Sequence, residues 1–194
     1  MLSYEESLKI LKETSALLDG HFVLSSGLHS AQYVQCAKLL SKPIKSSIFC
    51  KSLVEKISKE YEEIDLILSP AMGGIIVGYE VGRLLGKETI FSERVEGQFE
   101  LRRNFTILKN SKVLIVEDVI TTGKSSLECS KLAETAEANV IGFACLIDRS
   151  NGKSLINKKI VSQIEINIPT YDENDLPENL ISKPATKPGS RKLK

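Results

Sequence analysis

The chain has 194 residues, 42% of them hydrophobic, and its 26 basic and 25 acidic residues leave a net charge of +1. This length predicts one compact domain with a good core, and the balanced charge disfavours nucleic acid or an anionic membrane as a partner. The four cysteines are widely spaced and form no CxxC pair, which disfavours zinc or a secreted disulfide framework and indicates a reducing cytoplasm.

The first predicted element is an amphipathic helix. Ser3 and Glu6 form a capping box, and Gly20 marks the predicted end of the helix. The N-terminus carries two early glutamates and lacks the basic and apolar regions of a signal peptide, so export is not expected. The residues near one helical stripe are Tyr4, Leu8, Leu11, Ser15 and Leu18.

Residues 21–24 and 32–35 flank the turn-rich sequence SSGLHS, which predicts a short hairpin or a loop over a site. Pro43 is predicted to open the next helix, at a position where its missing N–H costs nothing. The buried side of that helix is predicted to consist of Ile44, Ile48, Leu53, Val54 and Ile57.

From residue 65 onward, short apolar runs alternate with helical stretches. The runs at 114–116 and 140–147 do not alternate with polar residues, as is typical of strands covered on both faces of a parallel sheet. The second of these is the longest apolar run and is too short to span a bilayer as a helix. The sequence therefore predicts an α/β fold with a central parallel sheet flanked by helices.

Two polar segments lie outside this pattern. The sequence ERVEGQFELRRN, residues 93–104, contains one glycine and is predicted to be a mobile loop that closes over a site; we call it the lid. Residues 181–194 hold two prolines, five basic residues and no acids, which predicts an exposed arm.

The clearest chemical signal follows the run KVLIVED. It places Glu117 and Asp118, the acidic pair, at the carboxyl end of a buried strand, the edge where open α/β sheets bind ligands. The next residues turn directly into a helix, whose N-terminus favours a phosphate. This phosphate loop would present backbone N–H groups and hydroxyls from Thr121, Thr122, Gly123, Lys124 and Ser125.

Two adjacent carboxylates beside a phosphate are explained if the ligand also offers hydroxyl groups. A ribose 5-phosphate does so, with the acidic pair facing its hydroxyls or a hydrated magnesium ion. The sequence TTGKS also resembles the end of a P-loop, but that motif requires glycine where this chain has Asp118, which disfavours an ATPase. An ordinary strand–turn–helix without a ligand is the remaining alternative.

The run VLIVEDVITTGKS resembles the phosphoribosyl diphosphate fingerprint of the type I phosphoribosyltransferase family. With GHFVLSSGLHS, LSPAMGGI, LIDRS and KPGSR, it resembles the orotate phosphoribosyltransferase branch over nearly the full length. The resemblance implies the type I phosphoribosyltransferase fold, with an N-terminal hood at about 1–40, a core at about 41–170 and a C-terminal arm at about 171–194. It also implies a cytoplasmic homodimer whose lid reaches the neighbouring subunit's site.

The implied reaction joins orotate to 5-phosphoribosyl 1-diphosphate, giving orotidine 5'-monophosphate and pyrophosphate in pyrimidine biosynthesis. Mg²⁺ is the implied cofactor, held mainly by the diphosphate and water near Asp118. Gly73 and Gly74 are expected to donate backbone N–H groups to the pyrophosphate, or else form only a tight strand–helix junction. The residues expected to bind the phosphoribosyl diphosphate are Glu117, Asp118, Val119, Ile120, Thr121, Thr122, Gly123, Lys124, Ser125, Gly73, Gly74 and Arg94.

Orotate is a flat acid, and the planar, permanently charged Arg149 suits its carboxylate, although a surface arginine is the alternative. Thr121 is the second candidate, unless it serves only the loop's own geometry. SSGLHS is expected to cover the base, and His29 within it is more typical of a packing or surface residue. The expected contacts from the hood are Ser25, Ser26 and Gly27.

The expected catalytic residues are Glu117 and Asp118 together with cations that stabilise the leaving pyrophosphate. The best-known family pattern has lysines in the hood and the pyrophosphate loop, where this chain has Ser25 and Gly73, and a lysine and a histidine in the lid. No lysine or histidine occurs between residues 88 and 108. The lid cations are therefore expected to be Arg102 and Arg103 with Arg94, unless this segment is only a solvated charged loop.

Two rival functions share parts of this pattern. An enzyme for another base, such as adenine, would keep the phosphate loop, but Arg149 and the hood disfavour it. A non-catalytic regulator that binds nucleic acid would need a further module or a basic face, and the chain has neither the residues nor the charge for one.

Overall fold

The chain begins with helix α1 (Tyr4–Glu13). The structure, a computed structural model, describes residues 1–24 and 26–188. The predicted capping box is confirmed, because Glu6 N donates to Ser3 Oγ and Ser3 N donates to the Glu6 carboxylate. The predicted end at Gly20 is wrong, because the helix ends at Glu13 and the chain reverses at Ser15, whose φ is 57°.

A hairpin follows in place of the expected last turns of the helix. Strands β1 (Leu17–Val23) and β2 (His29–Val34) pair antiparallel, which confirms the predicted hairpin and places Leu18 and Gly20 in a strand. The helical spacing of apolar residues wrongly extended the predicted helix into this region, because backbone pairing across the hairpin overrides a local periodicity. Of that stripe, Tyr4 is exposed and Leu11 is fully buried.

Two helices lead from the hairpin into the core. The short α2 (Cys36–Leu40) was not predicted, and α3 (Pro43–Glu60) begins at Pro43 as expected. Ile44 and Ile48 are exposed at 79% and 45%, so their predicted burial is wrong. The buried side of α3 is rotated toward Phe49, Cys50, Leu53 and Ile57.

The centre of the protein is a mostly parallel sheet. Its elements in chain order are β3 (Leu66–Pro70), α4 (Gly73–Leu85), β4 (Glu88–Val95), β5 (Gln98–Leu101), β6 (Lys112–Ile120), α5 (Lys124–Thr135), β7 (Asn139–Asp148) and β8 (Ile160–Glu165). Within the described residues the strands pair in the order β5-β4-β3-β6-β7-β8, and only β4 and β5 run antiparallel. The predicted α/β fold is confirmed; β8 was not predicted.

Apolar side chains cover this sheet on both faces. One buried cluster joins α3 and α4 to the sheet and extends to the N-terminal hairpin, and the other joins α5 to the opposite face. The middle of β6, residues 113–116, is completely buried between them. This burial on both sides explains why the central strands are continuous apolar runs.

The lid is not the irregular loop that its polarity predicted. Residues 93–101 belong to the β4–β5 hairpin, which turns at Glu96 and Gly97 with φ of 47° and 89°. This hairpin forms one edge of the sheet. Its backbone groups pair across the two strands, so a polar sequence is compatible with regular structure here.

The C-terminal arm is bonded to the hood. Its side chains are mostly exposed, as expected, but Thr186 pairs with Phe22 and Tyr171 with His29 through backbone hydrogen bonds. A short helix, α6 (Glu178–Ile181), lies between these contacts. Ser25 and the end of the KPGSR block, residues 189–191, lie outside the described residues.

Candidate active site

The turn after β3 and the acidic pair in the last part of β6 meet at the carboxyl edge of the sheet, because β3 and β6 are parallel neighbours. A Cβ atom on Gly73 would lie 2.7 Å from the carboxylate atoms of Asp118. One on Gly74 would lie 3.1 Å from the carbonyl oxygen of Val116. Both glycines therefore allow the N-terminus of α4 to approach β6 more closely than any side chain would permit.

The phosphate loop connects β6 to α5, and Gly123 is its most constrained residue. Gly123 is the N-cap of α5 with φ of 76°, a conformation that other residues rarely adopt. A Cβ atom there would lie 2.8 Å from the side chain of Ile156. Thr121, Thr122 and Lys124 are exposed around it, so the N-terminal turn of a 12-residue helix faces solvent at the sheet edge. Such a turn binds phosphate through unpaired N–H groups.

The acidic pair is largely buried, with Glu117 buried and Asp118 partly buried. Glu117 is only 8% exposed, and within the described residues neither Glu117 nor Asp118 forms an ion pair with lysine, arginine or histidine. Their hydrogen bonds come from the local backbone: Asp118 N donates to Glu117 Oε1 at 3.3 Å, and Val119 N donates to Asp118 Oδ1 at 2.9 Å. Buried carboxylates without a partner are costly, which favours a functional role.

Burial and the neighbouring Asp118 carboxylate raise the pKa of Glu117 to about 9. Burial also raises the pKa of Asp118. At neutral pH the two groups therefore share a proton in the free protein, because two adjacent carboxylates cannot both ionise cheaply in a dry environment. A ligand that brings hydroxyl donors or a cation removes this constraint.

Arg149 lies directly beside the phosphate loop. Its backbone N donates to Ile120 O at 2.8 Å, because β7 is the parallel neighbour of β6. The side chain is partly buried, and Nε has no hydrogen-bond partner among the described residues. Burial lowers the pKa of Arg149, but an arginine remains charged at neutral pH. A buried cationic donor is thus left free for an anionic ligand.

Two hood residues that the sequence did not single out reach this region. Tyr33 and Cys36 lie close enough to Arg149 to act on its pKa in the direction opposite to burial. The Cys36 thiol also donates to Asp118 O at 3.8 Å. No local pattern marks either residue, since their role comes from the packing of β2 and α2 against the ends of β6 and β7.

Ser26 and Gly27, the predicted hood contacts that the structure describes, are at the tip of the β1–β2 hairpin. Ser26 and Gly27 are exposed, and Gly27 has φ of 87°. His29 is buried and takes part in packing: its Nδ1 lies 2.6 Å from His21 Nε2, and His21 Nδ1 lies 3.0 Å from Lys183 O. The two histidines therefore connect the hood to the C-terminal arm.

Each lid arginine is paired with a glutamate. Arg94 Nη2 lies 2.6 Å from Glu128 of α5, and Arg103 Nε lies 2.7 Å from Glu93. Arg102 is held more weakly, at 4.0 Å from Glu93. None of these three arginines contacts the acidic pair in the structure as described for residues 1–24 and 26–188.

Two negative findings complete the description of the site's surroundings. Among the described residues, no group of three or more histidine, cysteine, aspartate or glutamate side chains is arranged to hold a metal ion. None of the helices in the described ranges is both long enough and apolar enough to cross a membrane.

Comparison with known proteins identifies the class of protein to which this fold and site belong. Residues 45–177 match the family described as the phosphoribosyl transferase domain. The fold resembles the crystal structure of orotate phosphoribosyltransferase from Aeropyrum pernix, with a TM-score of 0.71 and 24% identity over 81% of this chain and 92% of that one. Adenine phosphoribosyltransferase from Thermoanaerobacter pseudethanolicus is also similar, with a TM-score of 0.59 and 18% identity over 70% of this chain and 88% of that one.

Sequence relatives narrow the class to one family. A protein of Erythrobacter litoralis named orotate phosphoribosyltransferase is 45% identical over 188 residues, covering 96% of this chain and 97% of the relative. One of Parvibaculum lavamentivorans with the same name is 45% identical over 193 residues, covering 99% and 100%. The chain therefore belongs to the orotate phosphoribosyltransferase family.

Proposed function

We propose that the chain transfers the 5-phosphoribosyl group from 5-phosphoribosyl 1-diphosphate to orotate, giving orotidine 5'-monophosphate and pyrophosphate in pyrimidine biosynthesis. The observation that carries this proposal is the largely buried acidic pair, which has no basic partner among the described residues and lies next to the phosphate loop and Arg149. The names of relatives that match over nearly the whole chain support the same reaction.

In the proposed complex the phosphate loop binds the 5-phosphate through N–H groups of Thr121 to Ser125 and the hydroxyls of its threonines. The acidic pair accepts hydrogen bonds from the ribose hydroxyls, with Val119 and Ile120 forming the backbone between pair and loop. Gly73 and Gly74 donate N–H groups to the diphosphate from the α4 N-terminus, a role supported by their contact with Asp118 and Val116.

Magnesium fits this site as an ion shared with the substrate. The acidic pair supplies hard oxygen donors, and the diphosphate and water are proposed to provide most of the ligands. When bound, Mg²⁺ would stabilise charge on the leaving pyrophosphate. The chain's own contribution is to fix the ribose and exclude water around Glu117.

Orotate is proposed to lie between the phosphate loop and the hood. Arg149 is positioned to bind its carboxylate, because the guanidinium is partly buried and has a free donor at Nε. Thr121 is proposed to contact the base from the loop side, and the hood tip with Ser26 and Gly27 is proposed to cover it. Tyr33 packs near Arg149 and provides an aromatic surface beside the same position.

Cleavage leaves positive charge on the ribose and negative charge on the pyrophosphate, and the lid is proposed to supply the compensating cations. Arg102 is the best candidate for contact with the pyrophosphate, because its 4.0 Å contact with Glu93 is the longest among the three lid arginines. Arg103 has a shorter ion pair and lies over the Phe91 ring at 5.6 Å, which keeps it closer to the hairpin.

An adenine enzyme is the second candidate, since the fold is similar to both kinds of phosphoribosyltransferase. Arg149 favours an acidic base over adenine. The test is to mix the protein with Mg²⁺, phosphoribosyl diphosphate and either orotate or adenine, and to follow base consumption by absorbance. Turnover of orotate is expected; turnover of adenine alone would support the second candidate, and no turnover of orotate under any condition would refute the proposal.

We also propose a homodimer in the cytoplasm. Five exposed apolar side chains lie on α3 and on α4 with its N-cap, and we propose that a second copy covers them: Ile44, Ile48, Met72, Ile76 and Tyr79. Four free, buried cysteines support a reducing compartment. The proposed dimer would let the lid reach the neighbouring subunit's site, and light scattering at several concentrations measures the oligomeric state directly.

A further inference from the structure

The side chain of Glu128, in the second turn of α5, connects the lid to the phosphate loop. One carboxylate oxygen, Oε2, lies 2.6 Å from Arg94 Nη2 of the lid. The other, Oε1, lies 3.9 Å from the ammonium of Lys124, the first residue of α5. A single carboxylate is therefore the counter-ion for one cation of the lid and one cation of the phosphate loop.

The contact with Glu128 is part of a larger contact region between the β4–β5 hairpin and α5, which we call the seam. Arg94 also donates to Gly97 O and lies over the Phe99 ring, with 4.1 Å from Cζ to the ring centroid. Two residues before Arg94 on β4 and one residue after Glu128 on α5, Ser92 Oγ and Cys129 Sγ are buried at 3.3 Å from each other. The lid is thus held on α5 by one exposed ion pair, and a buried contact between β4 and α5 lies directly before the lid.

The charged side chains of this seam are accessible to solvent and to ligands. The side chains of Arg94 and Glu128 are 41% and 29% exposed, and that of Lys124 is 77% exposed. A phosphate group bound at the α5 N-terminus would approach Lys124 from the solvent side. It carries more negative charge than a carboxylate and accepts the same charge-assisted hydrogen bonds, so it competes with Glu128 for both cations.

We infer that Glu128 is a positioning residue that holds the lid on α5 in the free protein and releases Arg94 and Lys124 to the phosphate groups of the substrate. This inference rests on the proposed function, because it requires a phosphorylated substrate at the phosphate loop. Glu128 itself does not contact the substrate. It sets the cost of moving the lid, and it lowers the affinity of the free protein for phosphoribosyl diphosphate.

The test compares Glu128→Gln with wild type and with Glu134→Gln, a control at an exposed position on the same helix. Glutamine keeps the size of the side chain but no longer neutralises either cation. The apparent KM for phosphoribosyl diphosphate is expected to fall about twofold to fivefold, the equivalent of one partly exposed ion pair, and kcat is expected to fall because pyrophosphate is held by the same cations. Glu134→Gln should change neither value.

Limited trypsin digestion without substrate gives a second readout. Release of the lid should speed cleavage after Arg94, Arg102 and Arg103 in Glu128→Gln and leave Glu134→Gln like wild type. A raised KM, or unchanged KM and cleavage, would overturn the inference. If wild type fails to turn over orotate, the proposed function fails, whereas the digestion pattern still reports whether Glu128 holds the lid.

Discussion

The two charged regions of the site, the acidic pair near the end of β6 and the lid, differ in how the protein compensates their charge. The acidic pair is largely buried and has no basic partner within the described residues. The lid arginines are exposed and each has a glutamate partner. A buried group can remain unpaired only on a rigid element, whereas an exposed pair can exchange partners at small cost. The first region is therefore preformed for the ligand, and the second is suited to move.

The largest effect is expected from Asp118→Asn, which removes charge from the preformed region. Asparagine has nearly the same shape and can still accept a hydrogen bond from Val119 N, so the fold should persist. The turnover rate with orotate is expected to fall about a hundredfold to a thousandfold, as when one group that stabilises developing charge is lost. Steady-state kinetics measures this, with circular dichroism as the check on folding. Unchanged kinetics would remove Asp118 from the mechanism.

This preformed region is also the part that the sequence predicts best. The apolar run of β6, the two carboxylates and the glycine of the phosphate loop lie within one short stretch, so local rules are sufficient. Gly123 shows why: its positive φ and its close approach to the Ile156 side chain disfavour any other residue.

The lid could not be predicted in the same way. Its ion pair joins Arg94 to Glu128, which are 34 residues apart, and no local pattern indicates that contact. The same holds for β8, where Gln163 is buried because it donates to Ser7, 156 residues away. Polar sequences of this kind are predicted to be loops as long as the residues that their side chains contact are not known.

The next effect in size is expected from Arg149→Ala. Loss of a charge-assisted hydrogen bond to the orotate carboxylate should raise the KM for orotate about tenfold to a hundredfold. The KM for phosphoribosyl diphosphate should change little, because Arg149 lies on the β7 side of the loop. Arg149→Lys keeps the charge but loses the planar donor, and should recover only part of the affinity. An unchanged KM for orotate would assign its carboxylate to another residue.

A smaller effect is expected within the lid, where the three arginines differ in their partners. Arg102→Ala should lower kcat about tenfold, the size expected when one of several stabilising cations is lost. Arg103→Ala should lower it less, because Arg103 has the shorter contact with Glu93. Pre-steady-state measurement of bond cleavage distinguishes a slower cleavage step from slower product release. Equal effects of the two substitutions would contradict the ranking of the lid arginines.

The smallest effect is expected from Glu117→Gln in the free protein. This variant tests most directly how much the preformed region lowers the free energy of unfolding. The pKa of Glu117 is raised to about 9 from an ordinary value of 4.5, so the folded state holds a proton that the unfolded state has lost. Stability therefore falls as pH rises from about 4.5 toward 9. Glutamine cannot ionise, so the variant should escape this loss.

At pH 8 the melting temperature of Glu117→Gln should exceed that of wild type by at least about 2–4 °C, which corresponds to roughly 1 kcal/mol in a chain of this size. At pH 4 the difference should nearly vanish, because Glu117 of the wild type is then largely protonated in the unfolded state as well as in the folded state. Thermal unfolding at both pH values, without substrate or Mg²⁺, measures this. If the variant were less stable than wild type at pH 8, the surroundings of Glu117 would stabilise its side chain. The acidic pair would then not differ from the lid in lacking a compensating partner.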